Sequence, residues 1–210
     1  MLWIIGVCAV CYVLCMPLYM HYKPFHLHLG CAYKSLGTLC AFLMALIAAI
    51  KLDPRCYIIS GAILLYAVAD YLLEFQFELG AGIFMAGHIC AIAFFLSLAP
   101  VSGLHLICLL LLGGMMAVVF MRWRKPIGRK LPFFVIYGAS LIIMCASALG
   151  CFPTNGITGI LIACGGALFC ISDFMLLRRT LFPSGVSLSW AIMVSYYSAV
   201  LLFGIACLQL

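Results

Sequence analysis

The stretch that decides the fold is an apolar run with a carboxylate inside it, residues 57–74, YIISGAILLYAVADYLLE, which contains Asp70. A second run, residues 156–177, GITGILIACGGALFCISDFMLL, carries Asp173 in a similar setting. An ionisable side chain inside hydrocarbon is costly, and such residues usually mark a functional site. We therefore expect Asp70 and Asp173 to form one paired site.

The composition of the chain is that of an integral membrane protein. Its 210 residues are 68% hydrophobic and 8% charged, whereas a soluble domain carries about 25% charged residues. So few charges cannot cover a surface that faces water. Because the apolar runs are about 18–22 residues long, they indicate helices that cross a bilayer and argue against β-barrel strands.

The runs predict an all-α integral membrane protein with eight transmembrane helices in a single polytopic domain, residues 1–210. Short connections, most of them containing proline, separate the helices. The predicted spans are residues 2–20, 30–50, 57–74, 80–99, 102–121, 131–150, 156–177 and 187–208.

The distribution of Lys and Arg predicts the orientation of these helices. One set of loops holds most of the basic residues, and the loops on the other face hold only Lys51 and Arg55. The basic set comprises Lys23, Arg122, Arg124, Lys125, Arg129, Lys130, Arg178 and Arg179. These loops are expected in the cytoplasm, with both termini outside, in the cell membrane of a bacterium or an endoplasmic reticulum-type membrane of a eukaryote. Five of these basic residues form a cluster between positions 122 and 130. Because no soluble domain is predicted beside it, we interpret this cluster as a topology signal or as a contact with lipid headgroups. No nucleic acid is expected as a partner.

The two acidic residues share a predicted depth. Both lie in helices that run from outside to cytoplasm. Asp70 precedes Glu74 by four residues, and Asp173 precedes Arg178 by five. At about 1.5 Å per residue, each lies roughly 6–8 Å inside the cytoplasmic end of its helix. The site is therefore expected toward the cytoplasmic leaflet.

The similar settings of the two acidic residues also indicate an internal repeat. Spans one to four and five to eight would form halves, residues 1–100 and 101–210, with the same orientation and an axis along the membrane normal. Paired carboxylates near that axis would face each other. The alternative is that any two apolar helices with an aspartate look alike.

Further polar residues fall at the same predicted depth and are candidates for support or substrate binding: Lys34, Glu74, His88, Ser172, Tyr196 and Tyr197. Each has a simpler explanation. Lys34 could extend to the membrane interface, His88 could make an interhelical hydrogen bond, and Glu74 could be a loop charge. Tyr196 and Tyr197 could be packing residues. The coincidence of depth favours a site.

Four segments of the chain resemble the YhhN-like lysoplasmalogenases, a family of alkenyl ether hydrolases. The matching segments are GAILLYAVADYLL (residues 61–73), FMAGH (84–88), GALFCISD (166–173) and SYYSA (195–199). Three positions depart from the family pattern. Ala69 stands where the family tends to have Gly, Ser35 where it often has Pro, and Val200 where Gln is common.

The resemblance implies hydrolysis of the vinyl ether bond of a lysoplasmalogen in the membrane. The products would be a fatty aldehyde and a glycerophospho-headgroup. It implies Asp70 and Asp173 as the catalytic pair, and neither a cofactor nor a metal. Headgroup preference and oligomeric state stay open.

Two carboxyl groups suit this chemistry. A vinyl ether is cleaved by protonation of its β-carbon, which gives an oxocarbenium ion that water traps. Glycosidases meet a similar cation with one protonated and one ionised carboxyl. Because burial and a like charge both oppose double ionisation, Asp70 and Asp173 are expected to share one proton, whose owner the residues do not reveal. Lys34 or a loop residue such as Arg178 could hold the phosphate.

A proton-coupled secondary transporter of a small or lipid-like solute is the main alternative, since such carriers also use repeats and intramembrane ionisable residues. A non-catalytic scaffold or lipid binder is a third class. Against a carrier, both carboxylates are expected near one face of the membrane, and no pair of broken helices marks a central site.

Overall fold

The computed structural model describes residues 2–210, without the side chains of residues 2–5 and Ala9. Helix makes up 86% of the chain, and the described residues contain no strand, which confirms the all-α prediction. The helices are α1 Leu2–Tyr22, α2 Leu27–Lys51, α3 Cys56–Leu72, α4 Phe77–Leu98, α5 Gly103–Ile127, α6 Leu131–Gly150, α7 Gly156–Leu181 and α8 Val186–Cys207, and a 3₁₀ turn, Gly128–Lys130, joins α5 to α6.

Five helical stretches of the described chain are long and apolar enough to cross a membrane. Such lengths and compositions are those of a multi-pass membrane protein. The five are Leu27–Lys51, Phe77–Leu98, Gly103–Gly150, Gly156–Leu181 and Val186–Cys207, of which the third contains both α5 and α6. Two further apolar helices, Gly6–Tyr22 and Cys56–Leu72, are shorter.

Two basic segments that were predicted as loops are helical instead. Residues 122–127 belong to α5, and Arg178 and Arg179 lie in the last turn of α7. Lys and Arg are good helix formers and are stabilised at a helix C-terminus by the dipole, so the helices continue through them. Gly128, with a φ of 60°, ends α5 in the left-handed region that glycine adopts without strain.

This extension changes the positions of the two acidic residues along their helices. Asp70 lies two residues before the end of α3 at Leu72, whereas Asp173 lies eight before the end of α7 at Leu181. At about 1.5 Å per residue these separations are about 3 and 12 Å. The prediction that the two lie equally far from their helix ends is therefore wrong. Both nevertheless line one cavity because of the way the bundle packs.

The helices pack mainly against their neighbours in sequence, and two further contacts close the bundle, α2 with α8 and α4 with α6. Aromatic rings fill the centre: Phe169 of α7 lies 5.0 Å from Tyr66 of α3 and 5.5 Å from Tyr196 of α8, between ring centroids. Helix α5 is peripheral, because it packs mainly on α6 and buries only three residues, His105, Met116 and Ile127. The central helices α2, α3, α7 and α8 thus carry the candidate site.

Candidate functional site

A single cavity in the bundle is lined by both Asp70 and Asp173. Its volume is about 160 Å³. Ten side chains with polar groups line it: Tyr19, Lys34, Asp70, Glu74, Tyr137, Ser172, Asp173, Arg179, Thr180 and Tyr196. An apolar group lines it as well: Phe77, Met116, Phe120, Phe133, Phe134 and Leu177. The cavity is therefore amphipathic, with its ionisable groups contributed by helices that are far apart in sequence.

Asp70 is fully buried on α3 and is surrounded by donors. Its Oδ1 lies 3.1 Å from Nζ of Lys34, a residue that is only 8% exposed. Its Oδ2 accepts hydrogen bonds from Oγ1 of Thr38, at 2.5 Å, and from the hydroxyl of Tyr196, at 2.8 Å. A buried charge is tolerated when it is paired and hydrogen-bonded. The arrangement suits an ionised carboxylate, and the ammonium group of Lys34 is directed at Asp70.

Asp173, on α7, has a different environment. Its Oδ2 accepts a hydrogen bond from the hydroxyl of Tyr137 on α6, at 2.5 Å. Among the residues that the structure describes, no Lys, Arg or His nitrogen lies within 4.0 Å of this carboxyl. The side chain is 9% exposed. A buried carboxyl without a cation favours its protonated form, since desolvation penalises the charge.

The two carboxyl groups thus have partners of unlike charge at matching positions. Lys34 precedes Asp70 by 36 residues, and Tyr137 precedes Asp173 by the same 36. One partner is a cation and the other is a neutral phenol. This difference separates the two acids electrostatically although both line one cavity.

Tyr197 fixes the backbone that carries Lys34 and does not line the cavity. Its hydroxyl donates to the carbonyl oxygen of Lys34 at 2.6 Å. The ring lies against Gly37, where a Cβ would come within 3.0 Å of the phenol oxygen and ring. Tyr12 packs edge-on against the same ring, with centroids 5.1 Å apart. Close approach of α2 and α8 therefore depends on glycine at position 37.

His88 is fully buried behind the cavity wall and does not line the cavity. Its Nδ1 is 3.1 Å from Oγ of Ser140, and its ring lies 5.5 Å from that of Tyr137, between centroids. His88 therefore contacts a partner of Asp173 without contacting Asp173 itself. Its interhelical hydrogen bond to α6 agrees with the simpler of its two sequence interpretations.

Glu74 and Ser172 both line the cavity. Glu74 follows the end of α3 and accepts hydrogen bonds from Lys23, at 2.7 Å, and from the hydroxyl of Tyr19, at 2.8 Å. Burial raises the pKa of the Glu74 carboxyl, but Lys34 and Lys23 lower that pKa by more, and it lies below its usual value. Ser172 donates to the carbonyl oxygen of Ile192 at 3.1 Å and ties α7 to α8.

Sequence analysis missed four residues of this site: Tyr19, Thr38, Tyr137 and Arg179. Thr38 lies one helical turn after Lys34, so the same helix face carries both, and this spacing was a usable signal. Tyr137 could have been found by aligning the two halves on their aspartates. Tyr19 and Arg179 had no comparable signal.

No group of three or more His, Cys, Asp or Glu side chains in the described part of the chain is arranged to hold a metal ion.

The model of the YhhN family matches residues 29–206. That range contains both aspartates, Lys34, Tyr137 and Tyr196. No curated protein and no solved structure matches the chain.

Proposed function

Because the chain belongs to the YhhN family, we propose that it is an intramembrane hydrolase that cleaves the vinyl ether bond of lysoplasmalogens. The products are a fatty aldehyde and a glycerophospho-headgroup. The observation that carries the proposal is the pair of buried carboxyl groups in one cavity, Asp70 beside a cation and Asp173 beside a phenol.

The different partners of Asp70 and Asp173 indicate which of the two holds the shared proton. Lys34 stabilises the ionised form of Asp70, and two hydroxyl donors add to this effect. Asp173 has one neutral donor, and ionised Asp70 in the same cavity opposes a second negative charge. Asp173 is therefore the acid in this proposal, and Asp70 is the counter-charge.

The reaction then proceeds by protonation of carbon, addition of water and collapse of a hemiacetal. Asp173 gives its proton to the β-carbon of the vinyl ether, and the electron pair of the C=C bond forms the new C–H bond. The adjacent carbon and ether oxygen become an oxocarbenium ion, which the carboxylate of Asp70 stabilises. Water adds to that carbon and returns a proton to Asp173. The C–O bond to the glyceryl oxygen then breaks, the hemiacetal hydroxyl gives up its proton and becomes the aldehyde carbonyl, and the glyceryl oxygen takes up a proton and leaves as an alcohol, so the net reaction consumes one water.

The amphipathic lining supports a single-chain lipid as substrate. The apolar residues Phe134 and Leu177 belong to a hydrophobic cluster separate from the main core, with Phe77, Phe120 and Phe133 packed against it. A volume of about 160 Å³ is below the roughly 300–1,000 Å³ of pockets that enclose a whole drug-sized ligand. The cavity therefore suits the reacting segment of a lipid, with the rest of the chain against the apolar cluster and the bilayer.

We place the site toward the cytoplasmic leaflet, in a bundle whose eight helices all cross the membrane with both termini outside. The uneven distribution of Lys and Arg supports this orientation. A lysolipid carries its ether bond just below the headgroup. Asp70, two residues from the end of α3, is thus at a suitable depth to meet that bond without removal of the lipid from the membrane.

The pattern of helix packing supports two repeated halves, α1–α4 and α5–α8. Exchange of the halves turns the contact of α2 with α8 into that of α6 with α4, and both contacts occur. The same exchange carries Asp70 onto Asp173 and Lys34 onto Tyr137, each 103 residues apart. In this proposal, the first half has a cation, Lys34, where the second half has a phenol, Tyr137. This difference makes the two aspartic acids unequal in their tendency to ionise.

The test is aldehyde release by the purified full-length protein. We expect it to convert lysoplasmenylethanolamine to a fatty aldehyde and glycerophosphoethanolamine. The acyl analogue, lysophosphatidylethanolamine, has no vinyl ether to protonate and should stay intact. Absence of aldehyde from the wild-type protein would refute the hydrolase.

A further inference from the structure

We propose that Arg179 binds the phosphate of the lipid substrate and makes the enzyme select phosphate-bearing single-chain ether lipids over neutral ones. This inference rests on the proposed function and deepens it. The sequence offered Lys34 or a loop residue such as Arg178 for this role.

The charges around the cavity leave Arg179 without a carboxylate partner. Lys34 is paired with Asp70, and Glu74 is paired with Lys23 at 2.7 Å. Within the part of the chain that the structure describes, no carboxylate oxygen lies within 4.0 Å of the Arg179 guanidinium. Among the described residues that line the cavity, Arg179 is thus a cation whose charge is free for an anionic ligand.

Arg179 lies on the same face of α7 as Ser172. The two are seven residues apart, which is two helical turns and about 10 Å along the axis, and both line the cavity. Nη1 of Arg179 donates to Oγ of Ser189 in α8 at 3.3 Å. This bond directs the guanidinium toward the side of the bundle on which α7 and α8 meet.

Guanidinium chemistry fits a phosphate at this place. Arg carries five N–H donors in a planar fork that matches two phosphate oxygens at once. The bond to Ser189 uses one donor, so four stay available. In a lysoplasmalogen the three-carbon glycerol separates the phosphate from the vinyl ether. A phosphate at Arg179 therefore places the ether bond further along the cavity, toward Asp173 and Asp70.

Arg178 provides a matched control. It is the adjacent residue in the same helical turn, carries the same charge and is exposed. It does not line the cavity. General attraction of anionic lipids to the basic end of α7 would depend on Arg178 and Arg179 alike, whereas a phosphate site inside the cavity depends on Arg179 alone.

The first experiment compares two vinyl ether substrates with the same chain, lysoplasmenylethanolamine and 1-alkenylglycerol, which lacks phosphate. We expect Arg179→Gln to lower kcat/KM at least 10-fold for the phospholipid, mainly through KM, and to leave 1-alkenylglycerol within 2-fold of wild type. Arg179→Lys should recover part of the loss, and Arg178→Gln should change neither substrate by more than 2-fold. Equal losses on both substrates, or equal effects of the two arginines, would overturn the proposal.

The second experiment measures binding and does not depend on catalysis. Fluorescent lysophosphatidylethanolamine and monoacylglycerol with the same acyl chain are titrated into the purified protein. The wild type should bind the phospholipid at least 10-fold more tightly, and Arg179→Gln should abolish the difference. If wild type releases no aldehyde but shows this preference, the hydrolase fails and the phosphate site stands. If wild type releases aldehyde but shows no binding preference that depends on Arg179, the hydrolase stands and the phosphate site fails.

Competition distinguishes a lipid headgroup from a free phosphate. Inorganic phosphate and glycerophosphoethanolamine carry the group without the chain. We expect neither competitor to displace the fluorescent lysophospholipid, even when the competitor is present at 100 times the Kd of the fluorescent lysophospholipid. Displacement at equal concentration would show that the site takes a free phosphate and would contradict the lipid assignment.

Discussion

Nζ of Lys34 lies 3.1 Å from Oδ1 of Asp70, and both residues line a cavity in which the carboxyl group of Asp173 accepts a hydrogen bond from the phenol of Tyr137. This ion pair makes the two aspartates unequal. Both are buried, both lie on apolar helices, and both line the same cavity. Their neighbours decide which one is suited to hold a proton.

Asparagine substitutions should separate the two acids by their effects on stability. Asp173→Asn replaces a protonated carboxyl by a group of the same shape, so we expect an unchanged unfolding temperature and a 10²- to 10⁴-fold loss of kcat, roughly the range for a general acid. Asp70→Asn leaves Lys34 buried without a partner, which costs about 3–5 kcal/mol of folding free energy. Thermal unfolding in detergent and aldehyde release measure both. The reverse pattern would exchange the roles.

Removal of both members of the ion pair should restore stability without activity. Lys34→Met strands a buried carboxyl, so we expect a loss of about 3–5 kcal/mol. The double variant Lys34→Met/Asp70→Asn should return to within about 1 kcal/mol of wild type, because neither charge is stranded. Its aldehyde release should stay at least 100-fold below wild type. Simple additivity of the two stability losses would show that the residues do not interact.

Tyr137 should position Asp173 without taking part in bond making. Tyr137→Phe removes one hydrogen bond, worth about 0.5–1.5 kcal/mol, so we expect kcat to fall about 2- to 10-fold with KM unchanged. Tyr57→Phe is the control, since Tyr57 is exposed and lies outside the cavity. A KM effect without a kcat effect would assign Tyr137 to substrate binding.

Gly138 should keep the apolar part of the cavity open. A Cβ at this position would lie 3.0 Å from Cζ of Phe120, and both residues line the cavity. We expect Gly138→Leu to raise KM at least 10-fold for a long-chain lysoplasmalogen and less for a four-carbon alkenyl chain. Gly114→Leu is the matched control, because Gly114 on α5 is exposed and nothing lies within 4 Å of its added Cβ. Equal effects on long-chain and short-chain substrates would show that the alkenyl chain of the substrate does not bind beside Gly138.

Hydrophobic runs and single intramembrane charges predicted much of this account. They located the helices and the two carboxylates, because a run of apolar residues has one main structural solution in a bilayer. The ends of α5 and α7 were predicted too early, since Arg and Lys were taken as loop residues although they form helix well. The family resemblance, based on segments around Asp70 and Asp173, is confirmed by the match over residues 29–206.

The facing of individual side chains was harder to predict. In a helix that is apolar on all sides, periodicity does not reveal which face meets which neighbour. His88 and Tyr197 were expected beside the carboxylates, yet the first bonds Ser140 and the second bonds the backbone of Lys34. Alignment of the two halves would have pointed to Tyr137 as the counterpart of Lys34, but the packing of α6 on α7 is what shows that its hydroxyl reaches Asp173.

Isotope transfer from solvent tests the central claim, protonation of the vinyl ether carbon by Asp173, most directly. The wild-type protein is given lysoplasmenylethanolamine in D₂O, and the aldehyde is trapped by borohydride reduction and analysed by mass spectrometry. The account predicts one deuterium, on the carbon next to the former carbonyl, and product formation at least 100-fold slower from Asp173→Asn. Product without carbon-bound deuterium, or labelled product from Asp173→Asn at the wild-type rate, would contradict it.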